Sequence, residues 1–175
     1  MVRERAAGPV ATVPRPSIDG QNMPKPSSTV DQLSWSFQPF SALNLQQLYD
    51  LLHVRCQVFI AEQVAFQDLD YKDQDAWHLL GRDAQGVLQA YVRVLPPGLA
   101  YPEPSIGRVA VMQAMRGTGA GWELMRHAMA ETDRLWPGTA IRIGAQAYLQ
   151  KFYEGCGFDV VSEPYLEDGI PHLTM

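Results

Sequence analysis

The chain has 175 residues, with 14 Lys and Arg against 19 Asp and Glu, a formal net charge of -5 and 46% hydrophobic residues. At roughly 150 residues per domain this length fits one domain plus a tail, with enough apolar content for a core that needs neither metal nor disulfide. The acidic balance argues against nucleic acid as a main partner, no apolar stretch approaches the ~18 residues of a membrane span, and two cysteines make no disulfide framework, so a cytoplasmic protein is expected.

Residues 1–31 read as a disordered tail rich in Pro, Ala and Ser. Five of the 13 prolines (Pro9, Pro14, Pro16, Pro24, Pro26) fall there, and its apolar surface is too sparse to offset ordering entropy. The stretch Ala6–Val13 is too weak and Pro-broken for a secretory signal, and Glu4, Asp19 and the prolines argue against a transit peptide. Residues 32–175 are patterned as one domain. Leu33, Trp35 and Phe37 alternate with polar residues and predict a strand. Asn44 and Gln47 form a capping box, followed by Leu45, Leu48, Tyr49, Leu52, Cys56 and Phe59 at helical spacing, which places Cys56 in the core. After an acidic loop (Asp68, Asp70, Asp73, Asp75) come strands at Trp77–Leu80, Val87–Leu95 and Ile106–Met112. A second helix carries Trp122, Met125, Met129, Thr132, Leu135 and Trp136 and stops at Pro137-Gly138. A strand at Ile141–Gln146, a short helix at Leu149–Cys156, and strands at Phe158–Val161 and His172–Met175 complete a mixed α/β order.

The sharpest local signal is Arg116-Gly117-Thr118-Gly119-Ala120-Gly121, between a strand and a helix. Glycines let the backbone turn with its N–H groups outward, and the helix N-terminus adds partial positive charge, so this is an anion cradle suited to a pyrophosphate. It ends Gly121-Trp122, not Gly-Lys-Ser/Thr, so it is no Walker A loop. The third glycine of a dinucleotide fingerprint would fall on Trp122, so that motif fails too.

What remains, Arg-x-x-Gly-x-Gly, resembles the coenzyme loop of the GNAT superfamily of acyl-CoA-dependent N-acyltransferases. A second match follows at Gln146 through Phe158. Phe152, Tyr153, Gly157 and Phe158 agree with the family's Asn-x-x-Ala-x-x-Leu/Phe-Tyr-x-x-x-Gly-Phe, while Gln146 stands for its Asn and Leu149 for its Ala. Further stretches are similar to the ElaA-like branch: Arg55-x-x-Val58-Phe59-x-x-Glu62-Gln63, Asp68-x-Asp70, Ala76-Trp77-His78-Leu79, Ile106-Gly107-Arg108-Val109, Gly144-Ala145-Gln146-Ala147 and Asp168-Gly169-Ile170-Pro171-His172. The resemblance implies a GNAT α/β fold, a twisted mixed β-sheet flanked by helices on both faces. It implies that Val109, Ala110 and Val111, the loop Arg116, Gly117, Thr118, Gly119, Ala120 and Gly121, and Gln146, Phe152 and Tyr153 hold acetyl-CoA as co-substrate, with no metal. A homodimer is the assembly it suggests, with no surface assigned.

The implied reaction is transfer of an acetyl group to a primary amine of a small molecule or peptide, by direct attack in a ternary complex. An amine of reference pKa about 10.4 must lose its proton, the thioester oxyanion needs a donor, and the leaving thiolate benefits from a proton. The resemblance gives Tyr153 the last role and a backbone N–H on Val109–Val111 the second. For the base, Glu62 and His78 are the candidates carried forward, with Asp70 and His172 behind them. Glu62 has a structural alternative, pairing with Arg55, and His78 one as a hydrogen-bonded core residue. Arg108 lines the acceptor side or holds a carboxylate. The acids at 68–75 form a cation funnel or a solvated loop. An EF-hand is excluded by Asp73 and Leu79 at its positions 6 and 12. Cys156 has no adjacent cation to activate it. Competing functions are a catalytically silent acyl-CoA sensor, an acyl-homoserine-lactone-synthase-like enzyme, and a metal-dependent hydrolase built on Asp68–His78.

Overall fold

The acids and arginines that punctuate the first half of the chain become the centre of one face of the fold, and the apolar alternation becomes the other. The computed structural model describes residues 33–63 and 67–175, so the expected tail at 1–31 lies outside the described residues. Strands β1 (Ser34–Pro39), β2 (Trp77–Arg82), β3 (Leu88–Leu95) and β4 (Ser105–Val111) pair in chain order as an antiparallel sheet. Strands β5 (Gly144–Gln146), β6 (Tyr165–Glu167) and β7 (Ile170–Thr174) form a second antiparallel sheet with β7 in the middle. The mixed character comes from one parallel bridge, Ser105 to Arg142, where β4 and the approach to β5 touch. Among the described residues no further ladder joins the two strands, so they part beyond that point.

Helix α1 (Leu45–Arg55) starts at the expected capping box: Asn44 accepts from the Gln47 N–H and Gln47 Oε1 accepts from the Asn44 N–H. It continues as a π-helical turn, Cys56–Glu62. Helix α2 (Ala120–Leu135) runs off the glycine loop, and α3 (Gln150–Gly155) is a short helix before Gly157. Strand alternation separates two cores. Ala90, Val92 and Val94 of β3 pack with Leu124, Met125 and Ala128 of α2, while Leu80, Tyr91 and Ala110 pack with Leu51, Val54 and Val58 on the α1 side. Among the described residues no helix is long and apolar enough to cross a membrane.

Three expectations are corrected. The buried stripe of α1 is Leu51, Val54, Arg55 and, past its end, Val58, not the adjacent apolar series. Leu45 and Tyr49 are exposed, and so is Cys56, because a buried arginine occupies the inward position beside it. The segment Phe158–Val161 is not a strand; only the Val161 N–H reaches across, to the Thr174 carbonyl. The partner of β7 is β6, joined through Asp168 (φ 49°) and Gly169 (φ 76°), the two left-handed positions of a type I′ hairpin.

Candidate functional site

Strand β4 reaches the parting of the sheets with a bulge. Tyr91 pairs with Ala110 and Arg93 with Gly107, so Arg108 and Val109 together face the single Val92. A bulge leaves one residue outside the ladder and re-aims its side chain, and Arg108 takes φ 54° to do so. Val109 and Val111 turn toward the α2 core and Ala110 toward α1. A 3₁₀ turn, Gln113–Met115, then leads into the glycine loop. Gly117 (φ 76°) and Gly119 (φ 102°) adopt conformations that side-chain-bearing residues rarely take, and Thr118 Oγ1 donates to the Met115 carbonyl at 2.7 Å. Gly119 is the N-cap of α2 and supplies no capping side chain. The first turn of α2 therefore carries no side-chain cap, the arrangement that favours an anion there.

Helix α3 packs against the start of α2. Phe152 lies edge-on to Trp122 at 4.8 Å between ring centroids and touches the Cα region of Gly121. Tyr153 follows, buried among Phe152 and Phe158. Burial pushes its phenol well above the ordinary tyrosine range, so it holds its proton at neutral pH. Gly155 has no side chain where the Trp122 indole crosses α3; a β-carbon there would collide with the ring. This contact ties α3 to the first turn of α2. Val109, Ala110 and Val111 thus lead from β4 through the Gln113–Met115 turn into the loop Arg116–Gly121, and Phe152, next to Tyr153, packs on Trp122 at the start of α2. Gln146, at the end of β5, donates to Gln63 Oε1 at 3.1 Å.

The candidate bases fall in different surroundings. Glu62, at the end of the π-helical turn, accepts from Arg116 Nη2 at 2.6 Å, while Arg116 Nε donates to the Val111 carbonyl at 3.0 Å. It therefore braces the glycine loop and does not pair with Arg55. His78 has no exposed surface. Its Nε2 lies 3.0 Å from the Asp73 carbonyl and its Nδ1 2.9 Å from the Tyr91 hydroxyl. A carbonyl only accepts, so Nε2 carries the proton and Nδ1 accepts from the phenol. Burial holds this histidine below its ordinary pKa, in the neutral form. His172 is partly exposed on β7, across from Gln146.

Asp68, Asp70 and Asp73 of the acidic run make an arginine-bound network, not a cation funnel or a solvated loop, and only Asp75 is exposed. Arg55 donates to Asp68 Oδ2 and to Asp73 Oδ1, both at 2.7 Å, and Arg93 donates to both oxygens of Asp70 at 2.7 Å and to Asp73 Oδ1 at 2.9 Å. Arg108 donates to Asp68 Oδ1 at 2.8 Å. Burial disfavours charge on Asp73, but the guanidiniums of Arg55 and Arg93 outweigh it and hold the carboxyl below the usual range. Asp70 is lowered in the same way through Arg93. The carboxylates on which a metal-site alternative rested are spent on arginines. Of this network the sequence offered only Arg108 holding a carboxylate; it missed the parts played by Arg55, Arg93 and Gln63, and the one further local signal was Arg55 four residues after Leu51 on the Leu51–Val54–Val58 stripe.

The profile of the acetyltransferase (GNAT) domain matches residues 47–175. The protein ElaA of Escherichia coli K12 is 41% identical over 146 residues, which cover 82% of this chain and 95% of that one. Its crystal structure superposes with a TM-score of 0.76, covering 81% of this chain and 97% of that one. An acyl-CoA N-acyltransferase from Pseudomonas aeruginosa superposes with a TM-score of 0.77 at 41% identity, over 82% of this chain and 97% of that one.

Proposed function

The chain belongs to the GNAT acetyltransferase family, in its ElaA-like branch, and on that premise we propose that it moves an acetyl group from acetyl-CoA to a primary amine of a small molecule or peptide, by direct attack in a ternary complex. The observation that supports this reading is an uncapped helix N-terminus directly after β4, together with the parting of β4 and β5 beyond their bridge and a buried, protonated Tyr153 on α3. The pyrophosphate is held by the first N–H groups of α2 and the Gly117–Gly121 backbone, where glycine permits close approach. The pantetheine arm lies along Val109–Val111. The bulged strand offers a backbone N–H outside the ladder to the thioester oxygen, which gains charge as the amine attacks. Tyr153 gives its proton to the departing thiolate. Glu62 keeps Arg116 folded against the end of β4. His78 acts within the core, fixing Tyr91 and the loop that carries Asp73.

Calorimetric titration with acetyl-CoA tests the reading. Micromolar binding is expected, weakened more than about tenfold by Gly119→Asp, which forces a side chain onto a left-handed position and adds a negative charge at the anion cradle. Tyr153→Phe should bind equally well but release thiol about 100-fold more slowly in the presence of an accepted amine. Binding without any turnover would favour the silent acyl-CoA sensor. No binding at millimolar coenzyme would remove both.

A further inference from the structure

We infer that His172 is the group that takes the proton from the attacking amine, an assignment that rests on the acetyl-transfer reading above. In that step the amine nitrogen bonds to the thioester carbonyl carbon and the C–S bond breaks. The nitrogen sheds one proton and the sulfur gains one, from Tyr153. The group that receives the first proton must face the acceptor side of the parting between β4 and β5 with a free lone pair.

The other three bases named from the sequence do not meet that requirement; both oxygens of Asp70 accept from Arg93 at 2.7 Å. His78 has no exposed surface and both ring nitrogens are engaged. The Glu62 carboxylate is ion-paired with Arg116, whose Nε also donates to the Val111 carbonyl. His172 meets it through the register of the second sheet. Leu173 and Met175 are buried in the core beneath α2, so strand alternation turns His172 and Thr174 to the opposite face. On that face His172 stands directly across from Gln146 on β5 and Tyr165 on β6. Gln146 in turn reaches Gln63 at the end of the π-helical turn, which identifies this face as the α1 side, away from α2. One strand spacing, about 5 Å, separates His172 from β5, which borders that parting.

The ring is also prepared for the task. Its Nδ1 lies 2.8 Å from the Ile170 carbonyl, which can only accept, so the ring proton sits on Nδ1 and Nε2 is left with the lone pair. Tyr165 stacks on it at 6.0 Å between centroids and 28° between planes, fixing its orientation. Along the same face the hydroxyls of Tyr101 and Tyr165 both approach Gly144, whose missing side chain leaves the space for them. Gln63, Gln146, Tyr101 and Tyr165 thus give this face of the second sheet uncharged polar groups, with Glu167 and Arg142 close enough to Tyr101 to act on it electrostatically.

The test uses the full chain and follows thiol release from acetyl-CoA with lysine methyl ester, spermidine and ethanolamine as amines. His172→Ala is expected to lower kcat about 100-fold with acetyl-CoA affinity unchanged, and added imidazole should restore part of the rate in proportion to its concentration. His172→Gln, which keeps the size of the side chain but carries no base, should be as slow with an unchanged Tm. It replaces the Ala variant if that one unfolds. Wild-type rates in both variants, or a slow Ala variant that imidazole does not rescue, would overturn the assignment and leave the acetyl-transfer reading intact. A wild-type chain that fails to bind acetyl-CoA, or binds it and acetylates none of the three amines, would overturn the enzyme reading and this assignment with it.

Discussion

Replacing Asp73 with Asn removes one negative charge from a buried arrangement in which three guanidiniums face three carboxylates. Asp73 Oδ1 accepts from both Arg55 and Arg93, and those arginines are 0% and 3% exposed. Asn keeps the shape and an accepting oxygen but leaves a surplus positive charge in the core. Breaking a buried pair costs about 3–5 kcal/mol, and the retained acceptor puts this case near the lower end, about 3 kcal/mol. With a urea dependence of about 2 kcal/mol per molar, the unfolding midpoint should fall by about 1.5 M. Asp75→Asn, an exposed acid two residues on, should move it by less than about 0.5 kcal/mol. The acid limb gives a second check. Asp73 and Asp70 are depressed in the folded chain. Their stabilisation is therefore complete above the unfolded carboxylate pKa of about 3.9, and is lost as the pH falls through the folded values. Asp73→Asn should flatten that loss. Equal midpoints for the two variants would refute the claim that this network, not the local acidity of the run, is what the fold depends on.

Gly155→Ala should lower stability by about 1–3 kcal/mol, since the new β-carbon meets the Trp122 indole, and should weaken acetyl-CoA binding because Trp122 sits in the first turn of α2; scanning calorimetry and titration read the two effects. Cys56 should react with iodoacetamide in the native protein, being exposed, whereas Cys156 should stay unmodified until unfolding, because burial pushes its thiol up to about 12; peptide mass mapping distinguishes them.

The glycine loop and the helix around Tyr153 were legible because their structure is local. Left-handed glycines, a strand before and a helix after are all properties of a dozen consecutive residues. The stripe of α1 was not legible in the same way. An arginine inside a helix reads as solvent-facing, and nothing near Arg55 shows that Asp68 and Asp73, 13 and 18 residues on, will neutralise it. Val160 and Val161 read as a strand by composition, yet Asp168-Gly169 sets a tight hairpin further on, and turn geometry decides which residues pair with β7. His78 and Glu62 share a similar history. Each has suitable chemistry, and only the fold reveals that one is sealed in the core and the other bound to Arg116.

Among the described residues the two sheets meet through a single backbone bridge, whereas one continuous core holds Ala90, Val92 and Ile106 of one sheet and Ala145 and Leu173 of the other together with Leu124, Met125 and Ala128 of α2. The side chains of Leu124, Met125 and Ala128 therefore share one packed volume with both sheets, and a change in their size should alter the gap where β4 and β5 part. Close-packed interiors transmit small changes in volume. A search for variants with altered coenzyme affinity should accordingly recover substitutions at these buried positions, remote from any surface the coenzyme touches. Divergence among relatives in the size of these three side chains would tune the gap without altering a single residue that lines it.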